Sequence, residues 1–455
     1  MLLSFSSSIQ IILASFLLLL SLADALSIHP LKTLVVYDNR LTDLQDYSKF
    51  FQNLQDRSYD FTFASINNDT DKIRLYSDEE KLYDNLIIFP IKTKRMSSEI
   101  TPKKLLKYFE DGGDILTITS PNGLTDPVRL FLNELGIFPS PKQYHLIDVF
   151  QNEGSADPSS SVTIPVSETL NKFVYDSHDD TTETELIYQG SSALLNNNKF
   201  LVPVLQAPKT SINKRIDAKT NVVDANSEEW TIGSQGYVVV GFQNLKNSRC
   251  SWIGSDKFFS NEYFESNSKF VTELVKWTFK EKGVIKSLGF NHSHFDGRSY
   301  EEEPYKIKDD IVYDLYLSEW DGDKWVPYKS DDVQFELKMI DPYYRLTLEA
   351  SDKVIDNIST VYTTGRFKLP DHHGVFTFLT DYKRPGLTFI EELDIKAIRH
   401  LAHTEYLRSY EITNAWVYLT SIYSVISLWI VFVALIIISA RKTTSKPVSQ
   451  TKKTQ

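Results

Sequence analysis

Apolar positions along this chain fall into three rhythms. Between about residues 33 and 283, short apolar runs alternate with stretches spaced at three and four. Residues 33–37 (TLVVY) read as a short strand ending at Asp38-Asn39. Thr42 and Gln45 form a capping-box pattern ahead of Leu44, Tyr47, Phe50, Phe51 and Leu54, which share one helical face. Tyr59, Phe61 and Phe63 alternate as in a strand, and residues 86–89 (LIIF) make another, stopped by Pro90. Thr101-Pro102 is an N-cap with proline in the first helical position; that helix carries Leu105, Leu106 and Phe109 and ends at Gly112-Gly113. Residues 115–119 are strand-like. Asp126-Pro127 opens a helix through Leu130, Phe131 and Leu135 to Gly136. Residues 236–242 (GYVVVGF) read as one more buried strand, and Phe270, Leu274, Val275 and Phe279 line a helix closed by Gly283. Continuous apolar strands alternating with helices predict an open, largely parallel α/β sheet covered on both faces.

From 284 to 395 the period becomes two. Ile311, Tyr313, Leu315 and Leu317 alternate up to Glu319-Trp320, and Asp321-Gly322-Asp323 makes a tight turn into Lys324-Trp325. Val333, Phe335, Leu337 and Met339 alternate, and Phe376, Phe378 and Phe389 are assigned to later strands. This predicts an antiparallel, sandwich-like β domain. A helical connector is expected at about 393–412. The third rhythm is unbroken: 416–440 is almost wholly apolar, and 422–440 holds no charge. Nineteen residues at ~1.5 Å rise span about 28 Å, close to a hydrocarbon core of about 30 Å. Trp416 and Tyr418 sit at one end and Arg441 and Lys442 at the other, as expected of a membrane helix.

The ends supply an address. Residues 11–22 are a largely apolar run of twelve followed by Ala23-Asp24-Ala25, the pattern of a cleaved signal peptide over 1–25. The tail, 441–455, holds five basic and no acidic residues, which predicts a cytosolic C-terminus. The expected organisation is signal 1–25, lumenal α/β domain 26–283, lumenal β domain 284–395, connector 396–415, membrane helix 416–440 and tail 441–455. Lys452 and Lys453, three and four places from the end, form a di-lysine retrieval signal of the kind read by coat proteins. The formal net charge is −11, and with the tail set apart the body is more acidic still, which argues against nucleic acid as a partner. One cysteine, Cys250, excludes a disulfide scaffold and leaves two readings: a small buried residue, or a mixed disulfide with a partner chain. Asn68, Asn291 and Asn357 begin glycan-acceptor sequons.

Candidate chemistry is sparse, and neither cofactor nor metal is expected. Dinucleotide, P-loop and zinc-protease motifs do not occur, and residues 233–236 (GSQG) fall one residue short of a nucleophile elbow. Ser120 follows a strand, but Pro121-Asn122-Gly123 is turn chemistry. His292, His294 and Asp296, and His372-His373 after Asp371, are imidazole groups without four-ligand zinc spacing. Asp321 and Asp323 open like a calcium loop and then lack its later ligands. The acid pairs Asp309-Asp310 and Asp331-Asp332 would suit a glycan hydrolase, which keeps an anchored lumenal hydrolase open as an alternative. A cargo receptor cycling by its di-lysine tail is a second. On the membrane helix, Thr420, Ser424, Ser427, Val431 and Ala434 place mostly small residues on one stripe, a seam for another subunit.

An ordered set of segments resembles a known family. The strongest are residues 331–346 (DDVQFELKMIDPYYRL) and 374–390 (GVFTFLTDYKRPGLTFI). Residues 33–39, 83–90, 112–120, 398–410 and the KKTQ end support them. Together they are similar to the 48-kDa subunit family of the endoplasmic reticulum oligosaccharyltransferase, whose fungal members are named for binding wheat-germ agglutinin. The resemblance implies a first domain like glutamine amidotransferase-like domains but without their chemistry. This chain agrees, since no cysteine lies in the strand-turn before Gly123. It implies a non-catalytic subunit in a complex that moves a preassembled glycan from dolichol diphosphate to the Asn of a sequon. The implied partners are a ribophorin II-like subunit, a small multispanning subunit and the multispanning subunit that carries the active site. No catalytic residue carries over.

Overall fold

A computed structural model describes residues 32–443 apart from 69–72, 79, 93–96, 149, 152–160, 177–184, 218–221, 225–226, 356–357 and 407–413. The chain forms one compact unit through Ile398 and a second from Arg399 onward. In the first unit the apolar run at 33 becomes β1 (Lys32–Tyr37), buried along its middle. The expected capping box does not form. Thr42 is tied into the preceding turn by its N–H to Asp38 O (3.0 Å), and Asp43 caps instead, accepting from Gln45 N at 3.0 Å. A single 3-10 turn over Leu44–Tyr47 then leads into α1 (Ser48–Asp56) and β2 (Asp60–Ser65). β3 (Asn85–Ile88) follows. Next is α2 (Pro102–Glu110), where Thr101 Oγ1 accepts from Lys104 N at 3.3 Å as an N-cap should. β4 (Asp114–Ile118) precedes α3 (Asp126–Leu135), which stops at Gly136 with φ 92°.

β5 (Ile137–Pro139), β6 (Ala193–Leu195), β7 (Leu201–Gln206), β8 (Tyr237–Gln243) and β9 (Arg249–Ile253) complete a nine-stranded sheet, and α4 (Phe264–Thr278) packs against it. Its order is β2-β1-β3-β4-β9-β8-β6-β5, with β7 beside β8. The five strands from β2 to β9 are parallel, and the rest are antiparallel. The sheet is thus mixed: five neighbouring strands keep the expected parallel α/β arrangement, and the strands beyond β9 run antiparallel. Residues 244–248 join β8 to β9, too few for the dozen or more that a parallel crossover needs. Successive strand residues serve opposite faces. Val35, Ile87 and Leu116 pack with α1 and α4 through Phe50, Leu54, Phe270 and Leu274. Leu34, Val36, Ile88 and Ile115 pack with α2 and α3 through Leu105, Phe109, Phe131 and Leu132.

The antiparallel part holds β10 (Val284–His294), β11 (Asp310–Trp320), β12 (Gln334–Lys338), β13 (Pro342–Thr347), β14 (Glu349–Ile355), β15 (Ser359–Thr363), β16 (Gly374–Tyr382) and β17 (Ile390–Ile398). One sheet runs β10-β11-β15-β14 and the other β13-β12-β16-β17. Asp321 N donates to Lys324 O at 3.0 Å, which closes the expected hairpin turn. The expected helix at 393–412 is overturned over its first six residues, which belong to β17. That strand pairs with β16 from Ile390↔Tyr382 to Ile398↔Gly374, and this ladder outweighs the helix propensity of Glu, Leu and Lys. Phe389 lies just before β17, outside any strand. In the second unit, α5 (Ala415–Thr443) contains the apolar stretch Ala415–Ala440, long and apolar enough to cross a membrane.

The sandwich core centres on Phe335, whose ring stacks 4.4 Å from Tyr313 and lies 5.9 Å from Phe378. Phe335→Ala removes this contact between sheets and is expected to cost about 3–5 kcal/mol. A thermal unfolding scan of the full chain in detergent should show a clearly lowered midpoint, and an unchanged one would contradict this packing.

Candidate functional site

In open α/β sheets, ligands bind beyond the carboxyl ends of the strands where the strand order reverses. Here that point lies between β1 and β3, because β2 flanks β1 on the other side. The crevice is stapled shut. Asp38, fully buried at the end of β1, accepts from Arg40 N (3.0 Å), Asn67 Nδ2 (2.6 Å) and Lys92 N (3.1 Å). One carboxylate thereby ties the loops after β1, β2 and β3 together. Beside it Ile91 N donates to Gly123 O (3.0 Å), and Gly123 N donates to Ser120 O (3.0 Å), closing the turn expected from Pro-Asn-Gly. Among the described residues, Phe89, Ile91, Leu124 and Val128 fill the space behind and leave no room for a water molecule. Among the described residues, Ser120 therefore sits on a closed turn over a filled space.

The other candidates disperse. His292 and His294 point the same way from β10, but Asp296 pairs with Arg298. His292 Nδ1 meets Tyr305 OH at 2.8 Å and Nε2 meets Asp394 at 2.9 Å; His294 Nε2 meets Glu303 O at 2.8 Å. These contacts join β10 to β17 and to the intervening loop. His372 and His373 are exposed, and Asp371 pairs with Lys308 at 2.6 Å. Among the described residues no group of three or more His, Cys, Asp or Glu side chains could hold a metal. The acid pairs are split: Asp309 lies 3.8 Å from His294 and Asp310 2.8 Å from Arg366, while Asp332 binds Arg384. Ser234 lies in a 3-10 turn, where its carbonyl accepts from Gln206. Cys250 is wholly buried on β9, and burial pushes its thiol up. This overturns the mixed-disulfide reading, since neither sulfur access nor thiolate is present in the folded chain.

One buried polar constellation in the first unit is one that sequence reasoning missed. Arg249, fully buried at the start of β9, donates to Trp277 O (2.7 Å), Lys282 O (2.6 Å), Gly283 O (2.6 Å) and Gln243 Oε1 (3.2 Å). Its guanidinium lies 4.9 Å from the Trp277 ring centroid. Burial lowers its pKa to about 9, opposed by the charge of Asp114, so it stays cationic at neutral pH. Asp114 accepts from Arg249 N at 2.8 Å and pairs with Lys280 at 2.9 Å.

Into this frame fits the β16–β17 connection, residues 383–389. Trp277 Nε1 donates to Gly386 O (2.8 Å), Gln243 Nε2 to Leu387 O (2.8 Å) and Asn171 Nδ2 to Pro385 O (3.0 Å). Asn247 exchanges bonds with both backbone groups of Phe389, at 2.6 and 3.2 Å. Thr388 Oγ1 bonds both backbone groups of Ile285, at 2.8 and 2.6 Å. Gly386 has φ 97°, and a Cβ there would lie 2.8 Å from Asn171 Oδ1, so only glycine fits. Arg384, held by Asp332 at 2.5 Å, anchors the near end. The available signals were an arginine inside the apolar run RCSWI and the turn-rich KRPG segment.

The remaining predicted sites lie apart. Asn68 is exposed on the turn after β2, and Asn291 is exposed on β10. Asn357, Lys452, Lys453 and the 1–25 segment lie outside the described residues. Thr420, Ser424, Ser427 and Ala434 are all exposed on α5, within an arc of about 80°. Thr420 and Ser424 hydroxyls donate to their own helix, to Val417 O (2.9 Å) and Ser421 O (2.7 Å).

A mixed α/β part joined to an antiparallel β-sandwich, followed by one helix long and apolar enough to cross a membrane, defines the class of chain. Comparison with known proteins places it more finely. The OST48 N-terminal domain family matches residues 24–281 and the OST48 middle domain residues 292–440. The chain belongs to the OST48 family. It is 47% identical over 403 residues to dolichyl-diphosphooligosaccharide–protein glycosyltransferase subunit WBP1 of Saccharomyces cerevisiae, covering 88% of this chain and 90% of that one. It is 30% identical over 404 residues to subunit wbp1 of Schizosaccharomyces pombe, covering 86% and 88%. To the 48 kDa subunit of Danio rerio it is 28% identical over 420 residues, covering 88% and 90%.

Arg249→Met keeps volume but removes the charged donor from three carbonyls; Lys280 N still serves Trp277 O and Thr388 N still serves Gly283 O, while Lys282 O loses its guanidinium partner, so the change is expected to cost about 2–3 kcal/mol. Arg249→Lys should recover part of this. Limited proteolysis near residues 279–285 would report loosening, and resistance equal to the parent chain would count against the clamp. A pH effect follows from buried imidazoles. Burial lowers His145 to about 4 and also lowers His292 and His294, with nearby carboxylates opposing the latter two. An unfolded histidine binds its proton near pH 6.5, so below that the unfolded state binds more protons than the folded one. Stability is therefore full above about pH 6.5 and lost as pH falls toward 4, by about 1–2 kcal/mol at pH 5 for His145. Between pH 7 and pH 5 the parent should lose about 1–2 kcal/mol that His145→Gln does not lose, so the difference between their melting midpoints should shift in the variant's favour as pH falls, and a pH-independent difference would contradict it.

Proposed function

We propose that this chain is a non-catalytic subunit of the oligosaccharyltransferase complex. That complex transfers a preassembled glycan from dolichol diphosphate to the Asn of N-x-S/T sequons. The observation that carries the reading is OST48 membership over nearly the whole chain, with relatives named as subunits of this glycosyltransferase. Its polar side chains support it: Asp38, His292, Asp332 and Arg249 are all bonded within the fold. The active site belongs to a multispanning subunit, and this chain contributes assembly and stability.

The proposed setting is the endoplasmic reticulum membrane, single-pass, with the α/β domain (26–283) and β domain (284–395) lumenal and residues 441–455 cytosolic. A connector at 396–415 leads to the span at 416–440. Lys452 and Lys453 would engage coat proteins, and Asn68 and Asn357 would accept glycans. The stripe of Thr420, Ser424, Ser427 and Ala434 offers close approach to a neighbouring helix, in keeping with hydroxyls already bonded to their own backbone. The ribophorin II-like subunit and the small multispanning subunit are the proposed neighbours.

Depletion of the chain from cells tests this. Microsomes should lose most transfer to a sequon peptide, and the complex should run as smaller species on a native gel. Normal transfer from an intact complex would remove the proposal.

A further inference from the structure

We propose that the outer face of the sheet β13-β12-β16-β17 is the surface by which this chain holds a second lumenal polypeptide of the same complex, one that meets it with a flat, apolar face. That the partner is lumenal and belongs to the complex rests on the reading above; the surface itself does not.

A sheet with one face on a core and the other in water turns its polar residues outward. β11, in the opposite sheet, follows this in part. Ile311, Tyr313, Leu315 and Leu317 enter the core, and Asp310, Val312, Asp314 and Tyr316 alternate with them. β17 does the reverse. Glu392, Asp394 and Lys396 are half-buried and alternate in step with Ile390 and Ile398, which pack in the sandwich core. Asp394 meets His292 there at 2.9 Å and Lys396 at 3.1 Å. The residues between them, Leu393 and Ile395, are 49% and 56% exposed. A slip of one residue in pairing would exchange the two sets. The ladder forbids it, running without a break from Ile390↔Tyr382 to Ile398↔Gly374. The apolar side of the strand is therefore held outward.

Neighbouring strands make that exposure continuous. Thr377 lies opposite Ile395 and Leu379 opposite Leu393, while Phe376 and Phe378 point into the core. Val375, on the same side as Thr377, is 59% exposed. Met339 Sδ lies 3.4 Å from where a Cβ on Gly374 would stand. This sets the tip of the β12–β13 hairpin, with Ile340 89% exposed, against the start of β16. Ile340, Val375, Leu393 and Ile395 together offer on the order of 400 Å² of apolar surface, the size at which an exposed patch marks an interaction site. That is about half of one partner's share of a standard protein interface, as its apolar centre should be.

The border decides what covers the patch. Among the described residues, Glu336, Asp381 and Glu391 stand around it with Lys338, Arg345 and Lys383. Glu336 pairs with Arg345 at 2.7 Å, and Lys383 pairs with Asp381 at 2.8 Å and Glu391 at 3.1 Å. A charge-balanced border around an aliphatic centre is the anatomy of a protein interface. A membrane-surface element instead carries an excess of Lys and Arg with bulky rings among its apolar groups, and the described residues of this face show no such excess. Because the patch stands on paired strands it is flat, and a second flat face can stack on it as sheets do, about 10 Å apart.

In the test the full chain is purified from its membranes in mild detergent, and its companions and their transfer to a sequon peptide are measured. Leu393→Thr with Ile395→Thr, and separately Ile340→Ser, should lower recovery of one companion polypeptide about tenfold or more, with the melting midpoint of the chain unmoved. Threonine keeps the strand preference of both positions. Ile232→Thr, at an isoleucine of the α/β part that is also 56% exposed, should lose nothing. Benzoylphenylalanine placed at 340 or 395 of the otherwise unchanged chain should cross-link on illumination to the same companion, and this decides the matter if a variant's midpoint falls. Full recovery of every companion by the variants, or cross-links only to lipid or to a second copy of this chain, would overturn the proposal. If the unchanged chain brings down no transfer activity, the reading as a transferase subunit fails. If it does and the variants lose nothing, that reading stands and the surface alone is wrong.

Discussion

A guanidinium with no exposure to water must satisfy its donors inside the protein, and Arg249 does so on three carbonyls between residues 277 and 283. Its bonds to Trp277 O, Lys282 O and Gly283 O hold the end of α4 and the passage out of the α/β unit. Trp277 and Gln243, both in contact with it, then bind the 383–389 connection from the far side of the sandwich. The junction is therefore made of directed bonds as well as apolar area. Directed bonds fix orientation, which area alone does not, because the hydrophobic term is non-directional.

The same economy of polar groups shapes the strand-end crevice of the α/β part. A parallel βαβ half brings three loops together at the strand ends, where other proteins of this architecture hold ligands. Here Asp38 turns inward and accepts from all three loops. The His292 imidazole on β10 likewise joins the two sheets, and His294 ties the strand to the loop that follows it. OST48 membership makes this chain a relative of named glycosyltransferase subunits, and a stiff body suits a chain packed among others.

Much of the architecture was legible from period and punctuation. The Thr101-Pro102 cap and the Gly136 stop lie where the sequence put them, because caps are local chemistry acting within a few residues. The tight turn at Asp321–Lys324 is equally local. Longer-range decisions were not legible. Residues 390–398 (IEELDIKAI) carry good helix formers and form a strand, since pairing with β16 supplies bonds that no local preference reveals. The short strands Tyr144–Asp148, Val162–Pro165, Glu185–Tyr188 and Ser211–Asp217 lie in a stretch with no clear periodicity. Their pairing is likewise set by distant segments, such as His145 opposite Lys214.

By itself the sequence determined the two-part body, the change from α/β to antiparallel rhythm, the apolar helix and the family, because each is written in patterns a few residues to a few dozen residues long. Tertiary structure alone decided the antiparallel half of the main sheet, the burial of Cys250, the closure of the crevice by Asp38 and the bolt through Arg249. Those depend on which distant segments meet. An arginine among apolar neighbours reads the same in a sequence whether its partners are solvent or three carbonyls some 30 residues away. Only the packed chain says which.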